Sequence, residues 1–487
     1  MPDGAEARPG QVPPAAALPH LERYRPIVDD WGAFTGALAR PLPTCVWANP
    51  TRITPEGLAE LLADEGIAAR PLVWRAGAFR LAEGFKSGRW WWFCAGLAHA
   101  QEEVSQVPVA LMDLQPGQRV LDLCAAPGGK AAQIAFALGN RGTLIANDFA
   151  VGRLKALQGN LDRLGLVNVT TTCRDAANWP TAAGQFDRIL VDAPCSSEGT
   201  LRRNTSLGER LGVELSERLA ARQRALLRKA VQRLCPGGRA VYSTCTFAPE
   251  ENELVVAAIL DEYRGRVRLV PAAVPGLVTA PGLTHWAGQA LDPELAGCLR
   301  IWPHHNDSGG FFVAVLEKEA NAPWEEAPDL AELVAEPDPR WISDLSDYYG
   351  LPQDLWQGYR IHRQTRRGLH LAAADHAPPA ATPGEGSGLF FLRTNLHSPK
   401  LTTAGAMLLG AHATRTRAEL SAGQRDAYLT RREIRPTPTQ TAEMPRGQVI
   451  VTYRGFPLGI ALHHRSGVLE SLFPSRWSGC AGEATPG

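Results

Sequence analysis

Two cysteines stand where a nucleophile would be expected. FDRILVDAPCSSEGT carries Cys195 just past an apolar run, and RAVYSTCTFAPEEN carries Cys245 in the same way. Each follows a run of strand length and is flanked by polar turn residues, which brings both thiols to one rim of a sheet. A thiolate adds readily to an electron-poor carbon and departs again when a base completes the reaction. One methyl transfer needs such an adduct. Carbon 5 of cytosine is too weak a nucleophile to attack an activated methyl group, but thiolate addition at C6 makes C5 enamine-like. Hydrogen bonding or protonation at N3 stabilises the adduct, and a base must later remove the C5 proton. Methylation of an exocyclic amine or a ribose hydroxyl has no such requirement. Taken alone, either cysteine reads as a small buried hydrophobe, and Cys124, Cys173 and Cys235 keep that reading as far as nucleophilic chemistry is concerned. Two thiols on one rim favour chemistry.

A third segment, VLDLCAAPGGK, turns a strand into a helix through small residues. Gly128 and Gly129 let the backbone approach a ligand, and the helix that follows offers unpaired N–H groups. Asp148 ends the next strand, 18 residues past Lys130, and Asp175 lies just past the third. A carboxylate at the first position can accept both hydroxyls of a ribose, and the second is placed to meet an adenine edge. The spacing suits an adenosine-containing cofactor, although the dinucleotide signature GxGxxG is absent. A ligand-free turn is the other reading of a glycine pair; the aspartates at successive strand ends favour the cofactor.

These residues must be held by alternating strands and helices. Runs at 118–123, 142–148, 167–173, 186–192 and 239–244 have strand length, and 131–138, 151–164, 215–234 and 250–260 have helical character, with a late strand at 309–317. The alternation predicts an α/β, doubly wound parallel sheet over residues 106–318. Before it, 21–105 reads as a small mixed unit in which Thr54-Pro55-Glu56 starts an amphipathic helix. Residues 1–20 have the composition of a disordered tail. After the sheet come an acidic connecting region with a small helical domain (319–374), a linker by composition (375–388, DHAPPAATPGEGSG) and a small β-rich domain (389–487).

Fifty Lys+Arg balance fifty Asp+Glu, which alone would argue against a nucleic-acid partner. The balance hides an asymmetry: residues 319–350 hold nine acidic groups and one basic one, whereas 389–487 holds twelve basic and six acidic. Arg202 and Arg203 follow Cys195 in a loop, and Arg218, Arg222, Lys229 and Arg233 recur along one helix. A solvated face explains that stripe better than a phosphate track. Trp90–Phe93 reads as core rather than a stacking surface for bases. The nine cysteines include no CxxC pair, and neither a signal-peptide core nor an apolar run of membrane length is present. A cytoplasmic chain with free thiols is expected, with no membrane contact, disulfide framework or metal.

LDLCAAPGGK, DAPCSSEGT and STCTFAPEEN resemble motifs I, IV and VI of the NOL1/NOP2/Sun family of RNA cytosine-C5 methyltransferases. QEEVSQVPVALMDLQPG is similar to that family's lead-in and RIWPHHNDSGGFFVAVLE to its closing segment, so that the likeness runs over about residues 40–318 in order and spacing. The resemblance implies a Rossmann-like methyltransferase domain using S-adenosylmethionine. It implies cofactor contacts at Cys124, Ala125, Ala126, Pro127, Gly128, Gly129, Lys130, Asp148, Asp175 and Asp192. It further implies that Cys245 is the nucleophile, that Cys195 assists product release, and that Asp192 faces the base near N3. The terminal run GQVIVTYRGFPLGIALHHRSGVLESLFPSRW is similar to PUA-like domains of the family's bacterial small-subunit rRNA branch. That branch implies ribosomal RNA as partner, in the decoding region of 16S rRNA and possibly within the assembled subunit, a monomeric enzyme, and RNA-binding roles for residues 21–105 and 389–487. A tRNA or another rRNA is the alternative substrate within the family, and a non-catalytic ribosome assembly factor the alternative class.

Overall fold

The computed structural model describes residues 18–325, 327–333, 339–394 and 400–478. It opens with a small unit of β1 (Pro43–Ala48), α1 (Pro55–Asp64), β2 (Ala78–Glu83) and β3 (Ala98–Ala100). Thr54 starts α1 as the sequence predicts: its hydroxyl accepts from the Gly57 N–H at 3.0 Å, and Pro55 sits in the first turn. Trp91 and Trp92 are buried in this unit's core, as expected for that aromatic run.

The central sheet comes next. β4 (Arg119–Asp122), β5 (Thr143–Asn147), β6 (Val169–Thr172), β7 (Phe186–Asp192) and β8 (Leu234–Thr244) lie parallel in the order β6-β5-β4-β7-β8. They are connected through α2 (Gly129–Ala137), α3 (Val151–Leu164) and α4 (Val213–Arg233). After α5 (Glu253–Glu262), β9 (Val267–Val270), β10 (Leu299–Ile301), α6 (Pro303–Asn306) and β11 (Phe311–Lys318) close the domain. β11 pairs antiparallel with β8, β9 and β10.

Neighbouring residues of a strand face opposite sides, and both sides are covered here. Val120, Leu144, Leu190 and Val241 pack with α2 and α3, whereas Leu121, Ile145, Ile189, Ala240 and Tyr242 pack with α4 and α5. Each such aliphatic side chain contributes about 1.5–3 kcal/mol by burial. Because β4 lies where the strand order reverses, a crevice opens at the carboxyl ends of β4 and β7.

Three segments differ from the sequence expectation. Leu18–His20, assigned to the tail, belong to a short helix, Leu18–Leu21, while residues 1–17 lie outside those described. The region read as an acidic connector with a helical domain does contain α7 (Pro339–Tyr349), but then forms β12 (Tyr359–Thr365) and β13 (Gly368–Ala373). The linker read from composition is docked. Within it β14 (Gly386–Ser387) pairs antiparallel with β6, and His376 is fully buried. Thr170 Oγ1 lies 2.8 Å from both His376 Nε2 and Ser387 Oγ. Its glycines serve close approach: a Cβ on Gly384 would stand 2.6 Å from Thr170 Cγ2.

β15 (Leu389–Arg393) completes a sheet with β12, β13 and Lys400–Leu401. A last sheet holds β16 (Arg417–Glu419), β17 (Gly447–Tyr453), β18 (Phe456–His463) and β19 (Leu469–Ser471), with β16 and β17 parallel. It returns to the N-terminal unit, where the Trp91 ring meets Tyr453 edge-on at 4.9 Å and Arg454 pairs with Asp64. Among the described residues no helix is long and apolar enough to cross a membrane.

Burial holds His376 and His370 down at about 4 and His99 at about 3. These rings are neutral when folded, whereas the unfolded chain takes up protons near pH ~6.5. Their contribution is therefore complete above that pH and is lost as the pH falls toward the folded values. Urea midpoints measured across this window should fall with pH in the native chain and more gently in His376→Gln. A midpoint that holds constant, or falls identically in the variant, would contradict this.

Candidate active site

β7 and β8 are neighbours, and the loops leaving their carboxyl ends carry the two cysteines. The Sγ atoms of Cys195 and Cys245 lie 3.4 Å apart. Backbone and side chains brace the two loops together. The Gly199 N–H donates to the Cys245 carbonyl at 2.9 Å, and Ser196 Oγ lies 2.6 Å from Thr246 Oγ1. Gly199 has no room for a side chain, since a Cβ would fall 2.2 Å from the Gly310 carbonyl oxygen.

The sulfurs differ in acidity. The hydrogen bond from the Cys195 thiol favours charge on Cys245 and pulls its pKa below the usual thiol value; burial and Asp192 oppose this, while Ser197 and Lys130 assist. Cys195 is driven well above that value by the same bond and by burial. Within the pair, charge is therefore favoured on Cys245 over Cys195.

Lys130 Nζ donates to Asp192 Oδ2 and Ser243 Oγ to Oδ1, both at 2.8 Å. Burial alone would lower the lysine, but Asp192 overrides it and holds the ammonium above its ordinary value. Beside them Asp122 is fully buried, and burial together with Asp192 lifts it to about 8. Its Oδ2 has no partner among the described residues.

The loop from β4 to α2 is fixed by its neighbours. The Ala125 N–H donates to the Asn147 carbonyl at 2.7 Å, the Ala126 N–H to Asp148 Oδ2 at 3.2 Å, and Asn160 holds the Pro127 carbonyl at 2.9 Å. Gly128 is left-handed at φ 109°, and a Cβ there would lie 2.8 Å from Leu157 Cδ1. Cys124, partly buried at the start of this loop, has its thiol pushed up by desolvation and by Asp122. Asp148 accepts in addition from the Ala150 N–H at 3.0 Å and faces Arg153 at 3.2 Å. Asp175 caps the turn after β6, accepting from Asn178 at 2.8 Å and Arg222 at 3.1 Å.

Most of the arginines singled out in the sequence have protein partners. Arg222 serves Asp175, Arg233 grips Glu325 at 2.7 and 2.8 Å, and Arg202 is buried against Asp307 and the Pro41 carbonyl, both at 2.7 Å. Arg203 and Arg218 are exposed.

Sequence reasoning missed the acids beneath the cysteine loops. Glu198 is fully buried; its carboxyl accepts from Thr246 Oγ1 and the Phe247 N–H at 3.0 Å and from Tyr24 OH at 2.9 Å, with His20 Nε2 at 2.7 Å. Glu251 accepts from the Ser196 N–H at 3.0 Å and Gln223 at 2.7 Å. Glu102 accepts from the Gly309 and Ser105 N–H groups, both at 2.9 Å, and burial raises its pKa. Glu198 and Glu251 lie inside the quoted motifs, and an acid in an otherwise small and apolar loop was the available signal.

Residues 109–317 match the family described as 16S rRNA methyltransferase RsmB/F. A solved structure, a methyltransferase homolog from Pyrococcus horikoshii, is 32% identical, with a TM-score of 0.55 over 63% of this chain and 99% of that one. The chain belongs to this methyltransferase family. The ribosomal RNA small subunit methyltransferase F of Salmonella paratyphi C is 36% identical over 322 residues, and the match spans 65% of either chain's length. NSun6 from Pyrococcus horikoshii, at 20% identity and a TM-score of 0.53 over 64% of this chain, shares the fold. The family's cofactor is S-adenosylmethionine, and the crevice suits it. The partnerless Asp122 oxygen, the carboxylates after β5 and β6, and the side-chain-free approach at Gly128 form a cradle for a cationic, hydroxyl-bearing ligand.

Alkylation kinetics will test the division between the thiols. Cys245 should react with iodoacetamide faster than Cys195, with a pH midpoint below the free-thiol value. Cys195→Ala removes the donor to the thiolate and should move the Cys245 midpoint upward. An unmoved midpoint would show that the bond between the sulfurs does not set the acidity.

Proposed function

We propose that the chain transfers a methyl group from S-adenosylmethionine to carbon 5 of a cytosine in 16S ribosomal RNA, with Cys245 as nucleophile and Cys195 as the group that releases the product. The observation that carries this reading is the pair of sulfurs 3.4 Å apart, one favoured as thiolate and the other as thiol. Addition and elimination each need their own group, and the pair offers one cysteine for each step.

In the addition step the Cys245 thiolate forms a bond to C6. The Lys130 ammonium is the donor available to the charge that develops at N3, whereas Asp192, held by Lys130 and Ser243, is an acceptor suited to the exocyclic amine. Lysine thereby takes the N3 role that the motif resemblance gave to Asp192. Bound S-adenosylmethionine supplies the methyl group. Once Cys245 is a thioether, the charge that kept Cys195 protonated is gone. Cys195 then gives its proton to solvent water, takes the C5 proton as a thiolate, and the electron pair left at C5 expels the Cys245 sulfur as a thiolate.

Loop residues Cys124–Lys130, with Asp148 and Asp175, are the proposed cofactor contacts. The Ala126 and Ala150 N–H groups already bound to Asp148 fix its carboxylate beside the loop. The RNA role of residues 389–487 rests on their twelve basic against six acidic groups, and their PUA-like assignment on the resemblance of residues 447–477. The likeness to small-subunit rRNA methyltransferases supports ribosomal RNA of the small subunit as the substrate.

The decisive experiment incubates the full chain with methyl-labelled cofactor and small-subunit RNA, naked or assembled, and maps 5-methylcytosine. Cys245→Ala should bind RNA, form no adduct and methylate nothing. Cys195→Ala should slow elimination by about 10²–10⁴-fold and trap a protein–RNA species that survives denaturing electrophoresis. Swapped behaviour would reverse the two roles, and full activity in both variants would exclude the covalent route. RNA binding with no methylation by the native chain would favour an assembly factor.

A further inference from the structure

On the side of the molecule where the N-terminal segment meets α6, three side chains converge that the methyl transfer does not use. His304 Nε2 lies 3.0 Å from Asp29 Oδ1, and His305 Nε2 lies 2.9 Å from Asp29 Oδ2. One donor atom from each residue falls within 4.8 Å of the others. The two imidazoles stand edge to face with centroids 4.5 Å apart, and each side chain is 8% exposed, against 62% for Asp29. We infer that Asp29, His304 and His305 form a binding site for a borderline divalent cation of the zinc class.

The donor set decides the class of ion. Two imidazole nitrogens and one carboxylate oxygen suit zinc and its transition-metal neighbours, whereas magnesium and calcium seek oxygen. Zinc–nitrogen and zinc–oxygen bonds of about 2.0–2.2 Å place tetrahedral ligand atoms about 3.3 Å apart. The observed 2.9 and 3.0 Å separations, each to a different oxygen of Asp29, are a few tenths of an ångström shorter, and all three ligand atoms lie within 4.8 Å of one another. The exposed face of Asp29 leaves the fourth position to water. Neither Nδ1 has a partner among the described residues. Nothing on the far side of the rings therefore commits Nε2 to carrying the proton. The same lack of outer support makes the site about 10–100-fold weaker than one whose histidines are anchored. Cysteine spacing could not disclose such a site, because Asp29 and His304 are 275 positions apart. A bound ion would fasten to α6 the segment whose His20 and Tyr24 reach Glu198.

The test uses the chelator-treated full chain with Co²⁺ as the spectroscopic probe and Zn²⁺ in calorimetry and thermal melts. We expect one equivalent of Co²⁺ with ligand-field bands and no thiolate-to-cobalt charge transfer, which separates this site from the Cys195–Cys245 pair. Asp29→Asn, at an exposed position, should weaken binding at least 10-fold and abolish the rise in Tm with Zn²⁺. His305→Gln should do the same. The inference fails if no N/O-ligated equivalent binds, or if Asp29→Asn binds as tightly as the native chain. Neither readout depends on methyl transfer, so this result stands apart from the proposed activity.

Discussion

Glu198 sits under the loop that carries Cys195 and holds the other active-site loop by the backbone of Phe247 and the hydroxyl of Thr246. From the opposite side the same carboxyl receives Tyr24 and His20. A buried acid costs several kcal/mol unless its lone pairs are filled, so the group demands that all these donors be present together. Three stretches distant in sequence are thereby brought into register: the N-terminal segment, the β7 loop and the β8 loop. The short separation of the two sulfurs depends on that register, which the bonds of Gly199 to Cys245 and of Ser196 to Thr246 reinforce.

Around this anchor the site is built from charges in a poor solvent. Lys130 and Asp192 are held by each other, and Asp122 is left with a carboxyl oxygen that has no partner among the described residues. The low local dielectric that makes such groups costly also sharpens differences between chemically identical ones. Two cysteines a few bonds from the same strands end up on opposite sides of the ordinary thiol pKa because one donates to the other.

The central sheet was legible because its strands are buried on both faces and bounded by helices of regular length. Residues 186–192 read from sequence as a strand are β7 without a shift, and the helix expected over 215–234 runs from Val213 to Arg233. The cysteines, the glycine loop and the strand-end aspartates were visible as motifs for the same reason: strand ends punctuate the chain. The docked segment containing His376 was not, since Pro, Gly and Ala describe a linker and an edge strand pressed against Thr170 equally well. Glu198 escaped for a different reason. An acid's environment is a property of what folds over it, and Tyr24 lies 174 residues away. The arginines on α4 show the same limit, because charge at helical spacing does not reveal that Asp175 and Glu325 are waiting for it.

The Glu198 anchor also sets a schedule. Its first donors, His20 and Tyr24, leave the ribosome early, and its last supports, Phe247 and the Gly310 backbone that closes on Gly199, leave late. At synthesis rates of roughly 5–20 residues per second, the growing chain spends on the order of 6–22 s between Glu198, which completes the first half of this junction, and Gly310, which closes the second. Throughout that interval the cysteine loops lack the brace that pairs their sulfurs. The two sulfurs are therefore braced together only once the chain has emerged as far as Gly310.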